Sequence, residues 1–444
     1  MLITRRLGHD PALAIDDATR ALAGHDWTRP DGALFGYFPV SRGNPFQDML
    51  YSRLRPAGLT PLPTYDLTVT QQVASMVAGA GVEFVAHLHW LNPVLAKARD
   101  EADARDRVKA FLDGLAQLCD TGARLLWTVH NILPHQTRYP DLDAELRQGV
   151  VSFAERVHVM SPRTRELVAP WFDIPADKEL SVPHPCYQDA YPSWMPRAQA
   201  RAELGLPDGT TVFLLLGRVQ PYKGITELLD AFDRLCEREP GRYALLVAGS
   251  AGSEPETLAF RDRLRAHPTA HASLRKIPAE EMQVYLRAAD LAVLPYRRSL
   301  NSGARALALT FGLPAVVRDD AAPGLRLEAN HTLRYDGRTA DRFGNGIGNG
   351  IGDGFGGRFG STLDDSTAGS VDGLLEALAE AGRVLTTPQA RASAAAAAAR
   401  LAPARVSATF AAAVRGWLDP AHIPAHDPDH IAGHDPDHVQ GGTP

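Results

Sequence analysis

From Val212 to Gly224 the chain reads VFLLLGRVQPYKG. The run Val212–Leu216 is apolar without a break, the pattern of a strand buried on both faces of a parallel sheet. Gly217 ends the run, and a glycine at the carboxyl end of a strand lets backbone approach a ligand closely. Arg218 and Lys223 follow, and after Gly224 an amphipathic helix is expected over Ile225 to Cys236. Open α/β sheets bind ligands beyond the carboxyl ends of their strands. A guanidinium is a planar fork and an ammonium a point charge, and both suit a diphosphate. The plainer alternative is a βα loop with two solvated cations. The segments downstream favour the phosphate reading.

Outward from this stretch the same rhythm recurs. Strands are expected at Val212–Leu216, Ala244–Ala248, Ser273–Ile277, Leu291–Leu294 and Ala315–Val317 in the second half of the chain. In the first half they are expected at Ala33–Val40, Val82–His87, Arg124–Val129 and Arg156–Met160. Helices are expected from the loop after the first strand through Arg55, then at Gln71–Ala80, Asp103–Cys119 and Pro162–Trp171. This is the βαβ alternation of parallel sheets covered on both faces. Five prolines (Pro183, Pro185, Pro192, Pro196 and Pro207) mark a linker.

The expected organisation is an extension over 1–30 with a helical stretch at Ala12–Ala23, then an α/β domain over 31–190 and a second over 205–400. A helix over 401–420 and a tail over 421–444 follow. Two doubly wound, Rossmann-like domains facing one another would form a central cleft lined by loops from both.

Composition narrows the classes. A length of 444 residues fits two domains, and 45% hydrophobic with 22% charged residues is ordinary for a soluble globular protein. A net charge of −6 opposes broad nucleic-acid binding, which needs a basic field. Cys119, Cys186 and Cys236 are scattered without metal spacing, so reduced thiols in a cytoplasmic protein are expected. No apolar core follows Arg5 and Arg6, which argues against a signal peptide, and no run is long enough for a membrane span. Peripheral membrane contact remains compatible with this composition.

Two segments are compositionally odd. Residues 344–360, GNGIGNGIGDGFGGRFG, are too long and repetitive for a phosphate loop and read as a flexible insertion. The tail repeats HDPDH, with His422, His426, His430, His434 and His438 four residues apart. On a helix that spacing could hold a metal ion, but Pro424, Pro428 and Pro436 oppose a helix, so a disordered polar tail is expected.

A second polar loop carries chemistry. After the apolar run ending at Leu294, the segment Pro295-Tyr-Arg-Arg-Ser-Leu-Asn301-Ser302-Gly303 feeds an apolar helix expected over Ala304–Phe311. Asn301 or Ser302 fits the N-cap, and free N–H groups at a helix start favour an anion. The alternative is an ordinary capped helix.

The segments VFLLLGRVQPYKG (212–224), ALLVAGS (244–250), IPAEEMQVYLRAADLAVLPY (277–296) and SGARALALTFGLPAVV (302–317) occur in that order. Together they resemble the C-terminal donor domain of GT-B glycosyltransferases and are similar to glycosyltransferase family 4, over roughly residues 205 to 335. The resemblance implies a GT-B fold and transfer of a hexosyl group from a UDP- or GDP-linked sugar. The acceptor would be a hydroxyl on a saccharide, glycolipid or small molecule. It assigns the donor diphosphate to Arg218 and Lys223 beside Gly217 and places the nucleotide base near Ile277; the helix start at Asn301, Ser302 and Gly303 is expected to join this donor site as an anion-binding terminus. Arg and Lys can stand in for a metal, so metal independence and no cofactor are expected.

One departure matters: the paired glutamates usual in family 4 map to Ser299 and Leu307. This resembles a bacterial branch associated with polysaccharides and glycolipids, and it leaves the stereochemical outcome open.

The first half fits by shorter motifs. Asn44-Pro45-Phe46-Gln47 follows the first strand, His87-Leu-His89-Trp90-Leu-Asn92 ends another, and Trp127-Thr-Val-His130-Asn131 ends a third. Histidine suits proton transfer near neutrality. In enzymes of this kind the T-x-H histidine lies near the donor sugar or acceptor. His130 is therefore the first catalytic candidate and His89 the second, with Asn44, Gln47, Trp90 and Asn131 as acceptor-side candidates. Each could instead only shape a cleft. The missing glutamates also motivate a non-catalytic nucleotide-sugar binder or partner protein. Nothing specific points to an epimerase or a phosphorylase.

Overall fold

The computed structural model describes residues 11–24, 32–41, 43–134, 137–297, 299–320, 324–337 and 366–419. The glycine-rich segment 344–360 and the tail 421–444 lie outside these residues. The chain forms two compact units. One comprises Met1–Tyr187, Ser299–Ser302 and Arg400–Pro444; the other comprises Gln188–Arg298 and Gly303–Ala399.

The first unit holds six strands: β1 (Ala33–Phe38), β2 (Leu59–Pro63), β3 (Glu83–Leu88), β4 (Arg124–Thr128), β5 (Arg156–Val159) and β6 (Glu179–Ser181). They form one parallel sheet in the order β2-β1-β3-β4-β5-β6. Helices Leu67–Gly79 and Glu101–Asp120 start where Asp66 and Asp100 accept the backbone N–H of Val69 and Asp103. Each satisfies a donor that the helix itself cannot.

The expected helical stretch near the start of the chain runs Pro11–Gly24. The helix after β1 runs Phe46–Tyr51 and not through Arg55: Leu54 N turns to Tyr51 O and Ala57 N to Leu54 O in tighter 3₁₀ bonds, and Pro56 has no N–H with which to extend the α-helical ladder. β2 was not expected from the sequence. Its Pro61 and Pro63 sit on an edge strand, where one row of N–H groups has no ladder partner to lose.

The second unit holds β7 (Thr211–Leu216), β8 (Tyr243–Ala248), β9 (Ala270–Ser273), β10 (Leu291–Leu294), β11 (Ala315–Arg318), β12 (Leu325–Glu328) and β13 (Thr332–Tyr335). Their order is β12-β13-β11-β10-β7-β8-β9, and only the β12–β13 pair is antiparallel. The expected strand Ser273–Ile277 is instead β9, ending at Ser273. Its partner β8 stops at Ala248, so no ladder continues beyond the Ala248–Ser273 pair. Asp290 anchors the sheet, accepting from Val212 N at 2.9 Å and pairing with Arg197 at 2.6 Å.

The helix Pro403–Leu418 belongs to the first unit. Phe410 and Val414 pack with Phe35, Tyr51 and Leu126, while Ser407 Oγ donates to Leu50 O at 2.7 Å and accepts from Arg53 N. Among the described residues no helix is long and apolar enough to cross a membrane.

Candidate functional site

In the second unit β7 delivers the chain to Gly217 at φ +97°, a conformation that strains any residue with a Cβ. Gly217 N donates to Ala248 O at 2.8 Å and Val219 N to Ser250 O at 2.9 Å, so the loop lies flat against the end of β8. A Cβ on Gly249 would stand 2.2 Å from Gly217 O, which is why backbone can pass there only if that residue is glycine. Lys223 folds back beneath this turn. The residue is 5% exposed, and its ammonium donates to Leu216 O at 3.2 Å and lies 5.2 Å from the centre of the Tyr296 ring. No carboxylate pairs with it among the described residues. Burial pushes its pKa down to about 8. Arg218, by contrast, is exposed.

The segment after β10 splits its duties. Arg297 forks onto Glu227 at 2.7 and 2.8 Å and reaches Glu256 at 3.1 Å, while its N–H donates to Tyr222 O. This fixes the loop that carries Lys223. Ser299–Ser302 packs with the first unit, where Asn301 Nδ2 donates to Val129 O at 3.1 Å. The helix itself runs Gly303–Thr310. Leu307, at one glutamate position, is a buried core residue. Ile277 is buried in the loop after β9.

In the first unit the strand ends gather four histidines. His87 lies in β3 and His89 just after it, His130 follows β4, and His158 lies in β5. Tyr51 Oη bonds His87 Nδ1 at 2.8 Å and also lies in close contact with His89 Nε2. Thr128 Oγ1 meets His87 Nε2 at 2.7 Å and His158 Nδ1 at 2.9 Å. His158 Nε2 reaches Val182 O at 2.9 Å, and His89 Nδ1 meets His130 Nε2 at 2.9 Å. Burial holds the first three imidazoles well below the ordinary histidine value and His158 at about 4, so all four are neutral at pH 7. Phe410 from the C-terminal helix stacks on His87, with centroids 5.6 Å apart.

Trp90 stacks on His130 with centroids 4.3 Å apart and 19° between planes, so one indole face is already covered. A recess lined by Trp90, Asn92, His130, Asn131 and Arg147 opens beside them. Asn44 Oδ1 accepts Phe46 N, and Gln47 ties Ser41 N to Pro39 O. Gln47 is fully buried, with both ends of its amide bonded to its own loop. Tyr51, Thr128 and His158 were not singled out in the sequence. A lone polar residue inside an apolar strand, as in Arg156-Val-His-Val, was the available signal.

Residues 196–333 match the family description "Glycosyl transferases group 1". A D-inositol 3-phosphate glycosyltransferase of Nocardia farcinica is 33% identical over 150 residues, covering 31% of this chain and 33% of that protein. A GDP-mannose:glycolipid 4-beta-D-mannosyltransferase of Xanthomonas campestris is 25% identical over 253 residues, covering 54% of this chain and 65% of that one. The chain thus spans less than two thirds of either relative.

Among solved structures, sucrose-phosphate synthase of Thermosynechococcus elongatus superposes with a TM-score of 0.57 at 14% identity, covering 88% of this chain and 100% of that chain. The Anabaena protein HepE in complex with UDP gives 0.54 at 12% identity, covering 86% and 99%. The fold is therefore GT-B, and residues 196–333 are the part of this chain that matches glycosyl transferases group 1.

Proposed function

We propose that the protein transfers a hexosyl group from a nucleotide sugar to an acceptor hydroxyl. The observation that carries this reading is Lys223. A buried ammonium with no carboxylate partner among the described residues is held under a glycine turn at the carboxyl end of β7, an interior strand of its sheet. Such a charge is costly unless an anion compensates it. A diphosphate fits, with Lys223 below and Arg218 free to fork onto it from the exposed side. Both cations would stabilise the charge that grows on the leaving diphosphate. They would do so without a metal.

The relatives' names, which include a GDP-mannose enzyme and D-inositol 3-phosphate enzymes, and a structural neighbour crystallised with UDP support this donor class. Saccharides and glycolipids are the acceptor classes in view, and His130 is the group proposed to take the acceptor proton if configuration inverts. If it is retained, the leaving phosphate would do so.

The test is calorimetric titration with UDP, GDP, ADP and TDP, first with EDTA and then with Mg²⁺. One nucleotide binding tightly in EDTA, and more weakly to Lys223→Ala, is expected. Equal binding by both proteins overturns the site. Leu307 in the core, where a glutamate is usual, favours a second reading, a nucleotide-sugar binder without turnover. Binding without transfer to any acceptor would select it.

A further inference from the structure

The hydrogen bonds among the buried histidines leave no choice about where each proton sits. A carbonyl oxygen only accepts, so His158 Nε2 must carry a proton and donate to Val182 O at 2.9 Å. In a neutral ring Nδ1 is then an acceptor, and it takes the single proton of the Thr128 hydroxyl. That oxygen must accept from His87 Nε2–H at 2.7 Å. His87 Nδ1 in turn accepts from the Tyr51 phenol at 2.8 Å. The phenol proton is now committed, so Tyr51 Oη accepts from His89 Nε2–H. His89 Nδ1 finally accepts from His130 Nε2–H at 2.9 Å. Of the eight ring nitrogens in these four histidines, only His130 Nδ1 has no protein partner among the described residues.

We infer that Tyr51, His87, Thr128 and His158 are positioning residues: they form a proton-ordered chain, anchored at the Val182 carbonyl, that fixes His130 as the Nε2–H tautomer with Nδ1 as its accepting atom. Phe410 and Phe35 flank the chain and help keep water from it. Low polarity strengthens each link and makes an unpaired one costly, so the order propagates. A general base needs its lone pair aimed at the proton it removes, and a second ring tautomer would present an N–H there instead. The proton order follows from the hydrogen bonds of neutral rings; its kinetic consequence rests on the proposed transfer reaction.

The test uses the full chain with histidine labelled in heavy nitrogen and long-range proton–nitrogen correlation. In the wild type at pH 7 all four linked histidines should show the Nε2–H pattern. A cationic ring or an Nδ1–H ring at any of the four overturns the chain. Thr128→Val puts a methyl where the hydroxyl stood. His87 Nε2–H then has no acceptor, and the outer links should turn round, shifting His87, His89 and His130 toward Nδ1–H while His158 stays unchanged. Thr128→Ser should restore the wild-type pattern.

Should Thr128→Val not fold, Tyr51→Phe cuts the chain one step later and should disturb His89 and His130 while sparing His158. An unshifted His130 in a folded variant overturns the inference. In the transfer assay Thr128→Val should lower kcat about tenfold, with KM changed less than about twofold. Ordered histidines in a wild type that transfers nothing would leave the proton order standing and overturn the reaction instead.

Discussion

In the second unit a buried ammonium meets, among the described residues, a backbone carbonyl and the face of Tyr296; in the first unit four buried imidazoles bond to one another, to Tyr51 and to Thr128. Both arrangements sit at the carboxyl ends of parallel strands. The ammonium has no counter-charge among the described residues. The imidazoles are complete without a ligand, except at His130 Nδ1, which has no partner among the described residues. Burial thus acts in opposite senses. Around Lys223 it stores an electrostatic demand that an anion would meet, and around the histidines it removes charge and leaves direction.

The comparison can be broken at several points. The largest effect is expected from His130→Ala, which should lower the transfer rate by about a hundredfold or more with nucleotide affinity unchanged, as for loss of a general base. A loss of affinity equal to the loss of rate would place His130 in ground-state binding and merge the two regions.

Gly249→Ala should destabilise the second unit by about 3 kcal/mol, since the new Cβ would strike Gly217 O in a positive-φ conformation. Denaturant unfolding checks this, and a change under about 1 kcal/mol would show that the turn gives way.

Lys223 makes a pH prediction. Its folded pKa of about 8 is below the ordinary 10.5. Between those values the unfolded chain holds the proton and the folded chain does not, so stability rises with pH through that window. Relative to Lys223→Met, the wild type should gain about 3 kcal/mol across it. A flat difference in unfolding midpoint would mean that the ammonium is already compensated.

Nucleotide affinity gives the smallest steps. Lys223→Ala should lose about thirtyfold, as for one charge-assisted hydrogen bond, and the exposed Arg218→Ala about tenfold with unfolding unchanged. An Arg218 effect exceeding that of Lys223 would reverse the assignment of the buried cation as the principal anchor.

What could be seen in the sequence follows from burial pattern. β7 and β10 lie inside their sheet with both faces covered, and they read as uninterrupted apolar runs with boundaries correct to a residue. β2 carries two prolines, and β12 exposes Leu325 and Leu327 on a sheet edge, so neither presents that pattern. The strand expected at Ser273–Ile277 failed because the end of β8 limits its length, which is a property of the partner strand.

At the candidate site, the glycines and cations around Lys223 stood out because they are local in sequence. His89 and His130 stood out as polar residues closing apolar runs. Tyr51, Thr128 and His158 did not, since their partnership joins a helix and three strands across separations of 30 to 41 residues.

The C-terminal helix adds an order of events. Ser407 closes a bond to Leu50 across 357 residues, and Phe410 covers His87 and His158. During synthesis at about 5–20 residues per second, the first unit waits for the whole second unit to be made before this wall arrives. A nascent chain arrested before Pro403 should therefore leave the β1–β3 amides open to hydrogen exchange. Full protection should come only after release, which makes the histidine chain one of the last parts of the molecule to be finished.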